Sequence, residues 1–308
     1  MSGTFIVSLD CEGKWGMADH LQPYHHSMLT DRALAEVYDR LVALFARYDI
    51  AATFAYVMAF TLAESERRDF AELDDRSSGD PWLRHYWAHR DAGRSEGWFQ
   101  PHALDAVRAD GRHEIACHSF CHRPMGDASL PPAGARAELA SAARVGALKK
   151  VEMRTFIFPR NEVGNLAALR EAGYLGYRER LERAGGLRGR FTRLVEELNV
   201  RPAIQRPAAP REGLLPIPAG YFFNWRFAAR RYVPAAVTRA RWRSLLERTA
   251  AAGGVAHLWL HPHNLITAPK TGDSLEQVLA DAARLRDRGL LEVRTQESYC
   301  RARAASAA

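Results

Sequence analysis

The chain has 308 residues, 47% of them hydrophobic, which is enough for one large core or for two ordinary domains. It carries 43 lysine and arginine residues against 36 aspartate and glutamate residues, a net charge of +7. No recognisable DNA-binding or RNA-binding motif accompanies this basic excess, so we predict no nucleic-acid partner. No window approaches 18 consecutive apolar residues, so we predict no membrane-spanning helix.

The N-terminus MSGTFIVSLD has neither the basic region nor the long apolar run of a secretory signal. We therefore predict a cytoplasmic protein, and the basic charge would also suit a peripheral position at the inner membrane face. In such a compartment cysteines are expected to be thiols rather than disulfides. The cysteines are Cys11, Cys117, Cys121 and Cys300. We interpret Cys117 and Cys121 as small buried hydrophobic residues.

Predicted strands and helices alternate along the chain. The run TFIVSLD (4–10) is apolar and ends in a carboxylate, which is typical of a buried strand whose carboxyl end faces a site. Thr30 or Asp31 is expected to cap a helix over 34–48. Further strands are predicted at 51–57, 113–118, 155–159, 174–178, 213–218, 255–261 and 290–295, and further helices at 133–150, 164–172, 238–251 and 273–287.

This alternation, with strands apolar on both faces, predicts a parallel α/β sheet. Seven or so strands in one chain favour a barrel over two open sheets. Two aromatic-containing segments, about 62–104 and 185–235, interrupt the pattern and are predicted to be long loop insertions. We predict one domain over 1–308, with a frayed tail over 301–308.

Four polar residues lie at, or just beyond, the ends of four different predicted strands. They are Asp10, His118, Arg160 and His261. Because the site of a parallel α/β fold gathers at the carboxyl ends of its strands, we expect these side chains to lie together.

The stretch HSFCH (118–122) predicts a metal site. His118 and His122 are four residues apart, a spacing that would place both imidazoles on one face of a helical turn. A metal that activates water needs about three protein ligands and an open position. Asp10 and Glu12 alternate at one strand end, so either could supply the carboxylate, and Cys11 is an alternative soft ligand for zinc.

The remaining polar residues complete a hydrolytic set. Arg160 could hold one carboxylate charged and oriented. His261, with His263 in reserve, could protonate a leaving group. Metal, base, orienting arginine and acid together predict metal-assisted hydrolysis of an amide or an ester.

At this point the chain resembles the NodB-homology polysaccharide deacetylases of carbohydrate esterase family 4. The resemblance is carried by four motifs, which are SLDCEG, HSFCH (118–122), FPRN (158–161) and LWLHPHN (258–264). The family's fourth motif, an Asp-bearing segment with Trp, has no clear match. Its first motif usually has two adjacent aspartates, whereas this chain has Cys11 in the second place and Glu12 next, a pattern similar to the D-x-E of intracellular branches.

The resemblance implies a distorted (β/α)7-type barrel that holds one divalent metal ion, with zinc expected. Asp10 would be the base, Glu12, His118 and His122 the metal ligands, and His261 the acid, although Asp10 and Glu12 could exchange roles. Substrate contacts are predicted from Trp82, Trp87, Trp98, Trp225 and His263.

The implied reaction removes an N-acyl group from an amino sugar. Since no secretory signal is recognised, we expect the substrate to be a nucleotide-linked or lipid-linked precursor of a surface polysaccharide. The alternatives are an amidohydrolase for a non-sugar C–N bond, as in the allantoinase-like branch, and a catalytically silent sugar-binding homologue.

Overall fold

A computed structural model describes residues 3–181 and 196–306. Within these ranges nine strands form one sheet, and every pairing between the named strands is parallel. The strands are β1 (Gly3–Cys11), β2 (Thr53–Tyr56), β3 (Glu114–Cys117), β4 (Thr155–Ile157), β5 (Gly176–Arg178), β6 (Leu215–Ile217), β7 (Tyr221–Phe222), β8 (Val255–Leu260) and β9 (Leu291–Arg294).

The strand order is β6-β5-β4-β3-β2-β1-β8-β7. β1 pairs with β8 along one side, while its other side pairs first with β9 and then with β2. The sheet curls into a half-barrel covered by helices, which confirms the predicted distorted (β/α)7-type fold. Because β1 is central, its carboxyl end opens into the middle of the barrel mouth.

Helices that lie wholly within the described residues cover the sheet and the barrel mouth. They are α1 (Pro23–Met28), α2 (Asp31–Arg47), α3 (Glu64–Arg67), α4 (Leu83–Asp91), α5 (Pro101–Asp110), α6 (Pro132–Lys149), α7 (Leu166–Glu171), α8 (Ala235–Ala252), α9 (His263–Thr267), α10 (Lys270–Asp287) and α11 (Gln296–Ala305). In the described part of the chain, no helix combines the length and the apolar character needed to cross a bilayer.

Local sequence explains why α2 forms where it does. The Thr30 hydroxyl accepts a hydrogen bond from the Ala33 N–H at 3.1 Å, so Thr30 is the cap. One face of the helix is apolar at helical spacing and packs on the sheet. Its buried residues are Leu34, Val37, Tyr38, Leu41, Leu44 and Phe45.

Two predictions about irregular segments were wrong. Residues 62–104 contain α3, α4 and the start of α5 rather than one long loop, because their aromatic side chains join the main core, where Tyr86 and Trp98 pack against Trp15. The predicted frayed tail is helical as far as Ala305, since α11 is anchored by its buried Tyr299 and Cys300. Of the predicted insertion 185–235, residues 185–195 lie outside the described residues, and the remainder contributes β6 and β7.

Candidate active site

The two carboxylates of SLDCEG lie side by side at the carboxyl end of β1. Asp10 is 3% exposed and Glu12 is 5% exposed. Successive side chains of a strand point to opposite faces, so Cys11 points away from both. Its thiol hydrogen-bonds with Tyr38 inside the core, where burial raises the pKa of Cys11 well above its usual range. Cys11 is therefore no candidate ligand in this geometry.

Glu12 faces the histidines of HSFCH. Its Oε2 lies 3.4 Å from the His118 Nε2 and 3.0 Å from the His122 Nε2. Gly16 closes over this carboxylate so tightly that a Cβ there would lie 2.0 Å from the Glu12 Cδ. Gly16 therefore leaves the space that the Glu12 carboxylate occupies, a role that the sequence did not reveal.

The histidine loop is not the helical turn that the spacing predicted. Residues 118–122 leave β3 as an irregular loop in which Ser119 and His122 have φ of 71° and 65°. Left-handed backbone is strained for such residues, so neighbouring groups must hold it. The buried Glu138 carboxylate accepts from the Phe120 and Cys121 N–H groups, and the Ser119 hydroxyl accepts from the His122 N–H.

The residues present fit a divalent metal. The His118 Nδ1–H donates to the Ile157 carbonyl at 2.7 Å, which leaves its Nε2 lone pair aimed at Glu12. One ligand atom from each of Glu12, His118 and His122 lies within 4.8 Å of the other two, and all three residues are buried. Two imidazoles and one carboxylate are a common donor set for zinc.

Asp10 is held by an arginine that sequence reasoning missed. The Arg178 Nη1 and Nη2 each donate to one oxygen of Asp10 at 2.7 Å, and the Arg178 side chain is fully buried. Burial alone would raise the pKa of Asp10, but the adjacent guanidinium outweighs it and lowers that pKa. The signal that could have found Arg178 is its position as the last residue of β5, one strand beyond Arg160.

A buried hydrogen-bond chain fixes Arg178 in turn. The guanidinium also donates to the Asn161 side-chain oxygen at 3.0 Å and to the Ser8 hydroxyl at 3.3 Å. Since His257 Nδ1–H donates to the Pro218 carbonyl, its Nε2 accepts from the Ser8 hydroxyl at 2.8 Å. Burial lowers the pKa of His257 to about 3, so it stays neutral in this chain.

Arg160 does not take the orienting position that was predicted for it. Its Nη2 donates to Asp19 at 2.5 Å, and its side chain is 31% exposed at the cavity wall. The reason is geometric: Arg160 follows β4 with φ of 57° in a short 3-10 turn, whereas Arg178 is still inside its strand.

His261 lies beside both carboxylates. Its Nε2 is 3.5 Å from the Glu12 Oε1 and 3.9 Å from the Asp10 Oδ2. Its Nδ1–H donates to the Asn264 side-chain oxygen at 3.3 Å, which orients the ring. Burial is the largest influence on Glu12 and would raise its pKa, but the adjacent imidazoles of His261, His122 and His118 outweigh it and hold that pKa well below its usual range.

His263 stacks on His261, with ring centroids 4.9 Å apart. It is 6% exposed, and burial lowers its pKa to about 3. Glu12, His261 and His263 also form a group that could hold an ion. The pair His118 and His122 fits better, because both are more deeply buried than His261 and the His118 tautomer is fixed.

The site opens into a cavity of about 1100 Å³. Of the four predicted tryptophans, only Trp225 lines it, together with Trp259, which was not predicted to contact substrate. Trp87 and Trp98 lie in the core, since they are 5% and 0% exposed. Trp82 packs behind the site, 5.8 Å from the His122 ring, and donates to the Cys121 carbonyl.

Comparison with solved structures places this geometry in a known fold. A polysaccharide deacetylase structure from Mycobacterium smegmatis matches with a TM-score of 0.63 and 16% identity, covering 99% of this chain and 92% of that one. One from Pseudomonas aeruginosa PAO1 matches with a TM-score of 0.55 and 14% identity, over 97% and 89%. Puue allantoinase gives the same TM-score, identity and coverage. At these identities the likeness shows the fold alone.

Comparison by sequence identifies the family. A search of curated proteins found no match. A sequence model of the polysaccharide deacetylases matches residues 25–179, half of the chain, and this range includes HSFCH, FPRN and Arg178. The chain therefore belongs to the polysaccharide deacetylase family.

Proposed function

We propose that this protein is a metal-dependent hydrolase that removes an acetyl or formyl group from the nitrogen of an amino sugar. The observation that carries the proposal is that the two neighbouring carboxylates have different partners. Glu12 faces His118 and His122, whereas Asp10 is paired with Arg178 and lies beside His261. One carboxylate is thus available to a metal and the other to a proton.

Glu12, His118 and His122 would hold one divalent ion, which we propose to be zinc. When bound, such an ion lowers the pKa of a bound water and polarises an acyl oxygen. Asp10 would accept a proton from the water whose oxygen bonds to the acyl carbon. The Nε2–H of His261 would protonate the amide nitrogen as the C–N bond breaks, which releases a carboxylic acid and an amine.

Arg178 keeps Asp10 fit for this step. Both Asp10 oxygens accept hydrogen bonds from the guanidinium, so the carboxylate stays charged and in one orientation. The remaining lone pairs can still accept a proton. Asn264 orients His261 in a similar way. Its side-chain oxygen accepts a hydrogen bond from the His261 Nδ1–H, so that Nε2 faces the carboxylates.

The cavity walls suit a sugar. The rings of Phe222 and Trp259 line the cavity beside His261, and Trp225 lines it as well. Sugars stack on such aromatic faces. We propose a nucleotide-linked or lipid-linked precursor of a surface polysaccharide, such as an O-antigen, as the substrate. The cysteines of the described residues are free, in keeping with a proposed cytoplasmic location, where a basic protein could also sit at the inner membrane face.

A non-sugar C–N bond is the second candidate, because the fold of Puue allantoinase matches as well as that of one deacetylase. A silent sugar-binding protein is disfavoured by the pairing of Glu12 with two histidines. Glu12 can supply the metal-binding carboxylate that is missing at Cys11, which stands in the place of the family's second aspartate.

Metal content and acyl hydrolysis test the proposal together. The purified protein is compared with the double variant His118→Ala/His122→Ala and with the control His102→Ala. His102 lies on the exposed face of α5 and pairs with Asp39. We expect about one equivalent of metal in the parent and the control, none in the double variant, and acid release from acetylated or formylated amino sugars only where metal is bound. Equal, near-zero metal in all three after reconstitution would refute the metal centre.

A further inference from the structure

The Glu12 carboxylate has imidazoles beside both of its oxygens. Its Oε2 lies 3.4 Å from the His118 Nε2 and 3.0 Å from the His122 Nε2, whereas its Oε1 lies 3.5 Å from the His261 Nε2. Two ligands of one tetrahedral zinc ion lie about 3.3 Å apart, because each bond to zinc is about 2.0–2.2 Å long. Each Glu12 oxygen therefore has an imidazole nitrogen at nearly the separation that a shared ion would give.

The His261 ring is oriented as a ligand on the Oε1 side. Its Nδ1–H donates to the Asn264 side-chain oxygen at 3.3 Å, which leaves the Nε2 lone pair towards Glu12. The His118 ring is oriented in the same way on the Oε2 side, since its Nδ1–H donates to the Ile157 carbonyl. The two oxygens of Glu12 thus have equivalent surroundings.

His263 completes a group of three ligands on the Oε1 side. One ligand atom from each of Glu12, His261 and His263 lies within 4.8 Å of the other two. The His263 residue is 6% exposed, and its Nδ1 is buried without a hydrogen-bond partner among the described residues. A buried polar atom without a partner in the protein is costly unless a ligand satisfies it. Because no hydrogen bond through Nδ1 holds this ring, it can turn towards an ion in the cavity that it lines.

We propose that Glu12, His261 and His263 form a second metal site for zinc, in which the Glu12 carboxylate bridges two ions. The inference goes beyond the proposed function, in which one ion is bound and His261 carries a proton. A zinc ion and a proton compete for the same His261 Nε2 lone pair. The second ion would therefore displace that proton and inhibit the protonation of the leaving nitrogen. Only this inhibitory effect rests on the proposed function; the site itself does not.

The second site should bind zinc more weakly than the first. The His118 and His122 side chains are 2% and 3% exposed, whereas that of His261 is 22% exposed. Two cations joined by one carboxylate also repel each other. We therefore expect the second ion to bind only when zinc is in excess and to leave on desalting, whereas the first ion stays.

Zinc binding tests the second site without any measurement of activity. Titration calorimetry with zinc chloride is run on His118→Ala/His122→Ala protein, which lacks the first site, and on the same protein with His263→Asn or with the matched control His102→Asn. We expect one equivalent to bind to the first and to the control. With His263→Asn, binding should be about 100-fold weaker or more, since even partners of metal ligands contribute about 10–100-fold to affinity.

Equal binding with and without His263→Asn would refute the second site, and so would no binding in any of these proteins. Either result would leave the first site and the proposed function standing.

Cobalt(II) tests the bridge in protein with the first site intact. It is added to the desalted, metal-free parent and to His263→Asn alone. We expect two equivalents in the parent and one in the variant. In the parent, the electron paramagnetic resonance signal of the first ion should weaken as the second binds, because one carboxylate couples their spins. A parent that binds one equivalent, or two without coupling, would contradict a bridging Glu12.

Hydrolysis tests the inhibitory effect. Rates on an acetylated amino sugar are compared at one equivalent of zinc and in excess zinc, separately for the parent and for His263→Asn. Since a general acid contributes about 10²-fold or more, the parent should lose about that factor in excess zinc. The ratio of the two rates should stay near one in the variant. A parent with an unchanged rate, although the second ion is bound, would refute the inhibition. Two bound ions without hydrolysis under any condition would support the site and contradict the proposed function.

Discussion

Buried carboxylates lie at both ends of the central strands, and their partners differ. At the amino end, Glu114 begins β3 and accepts hydrogen bonds from the hydroxyls of Thr53 and Thr155 and from the Glu297 N–H. Burial raises the pKa of Glu114 despite these bonds. At the carboxyl end, Asp10 and Glu12 face arginine and histidine, and their pKa values are lowered. Burial alone therefore does not mark a site; the charge of the partners does.

From this difference we infer that the carboxylate at the amino end of the strands stabilises the fold, whereas those at the carboxyl end take part in the reaction. The Glu114 cluster consists of neutral donors that need no ligand, and it ties the starts of β2, β3 and β4 to α11. The Asp10 and Glu12 cluster leaves imidazole nitrogens aimed at a carboxylate in an open cavity. The same division between the two faces is general among parallel barrels.

Removing the proposed base should give the largest effect. Asp10→Asn keeps the shape of the side chain but cannot accept the proton, so we expect kcat/KM to fall by about 10³-fold or more, with metal content unchanged. Steady-state kinetics and metal analysis on one preparation check this. A variant within tenfold of the parent would show that another group is the base.

Breaking the Asp10–Arg178 pair should be nearly as costly, in stability. Arg178→Met leaves a buried, unpaired carboxylate, so we expect a loss of about 3–5 kcal/mol in the free energy of unfolding. Arg160→Met removes only the partly exposed pair with Asp19 and should cost about 1 kcal/mol or less. Urea unfolding of both variants measures the difference, and equal losses would contradict the assignment of Arg178.

The amino end should contribute to acid sensitivity through His113. Its Nδ1 accepts from the Ala52 N–H, and burial lowers its pKa to about 4 from 6.5. The native state thus binds fewer protons than the unfolded state in this window, so stability falls as pH drops from 6.5 to 4. The contribution is about 3 kcal/mol by linkage. His113→Asn should flatten this part of the curve of unfolding free energy against pH; an unchanged slope would assign it to other groups.

Apart from the control variants, the smallest effect is expected from Glu114→Gln. One amide donor replaces one acceptor oxygen, so we expect a loss of about 1–2 kcal/mol of stability. Metal content and activity should not change, whereas the matched change Glu12→Gln should remove the metal. Loss of metal in Glu114→Gln would contradict the inference that only the carboxyl end of the strands binds metal.

Much of the fold was predictable because local patterns carry it. The structure contains three features that the sequence predicted: the apolar strand β1, the Thr30 cap of α2 and the alternation of strands with helices. The short strand β7 was missed, since its two residues have no pattern of their own and pair only because β8 lies beside them.

The candidate site was predictable in part. Asp10, Glu12, His118 and His261 do come together at one barrel mouth, because parallel strands bring their carboxyl ends to the same edge. The helical turn predicted for His118 and His122 was wrong, since Glu138 and Ser119 hold that stretch in a left-handed loop.

The sequence by itself determined the parallel barrel, the position of polar residues at the carboxyl ends of its strands, and the residue types of a hydrolytic centre. Only the tertiary structure decided that Arg178 rather than Arg160 holds Asp10, that Cys11 faces the core and that Trp87 and Trp98 are buried. The physical reason is that strand patterns are local, whereas side-chain partners depend on the register and curl of neighbouring strands.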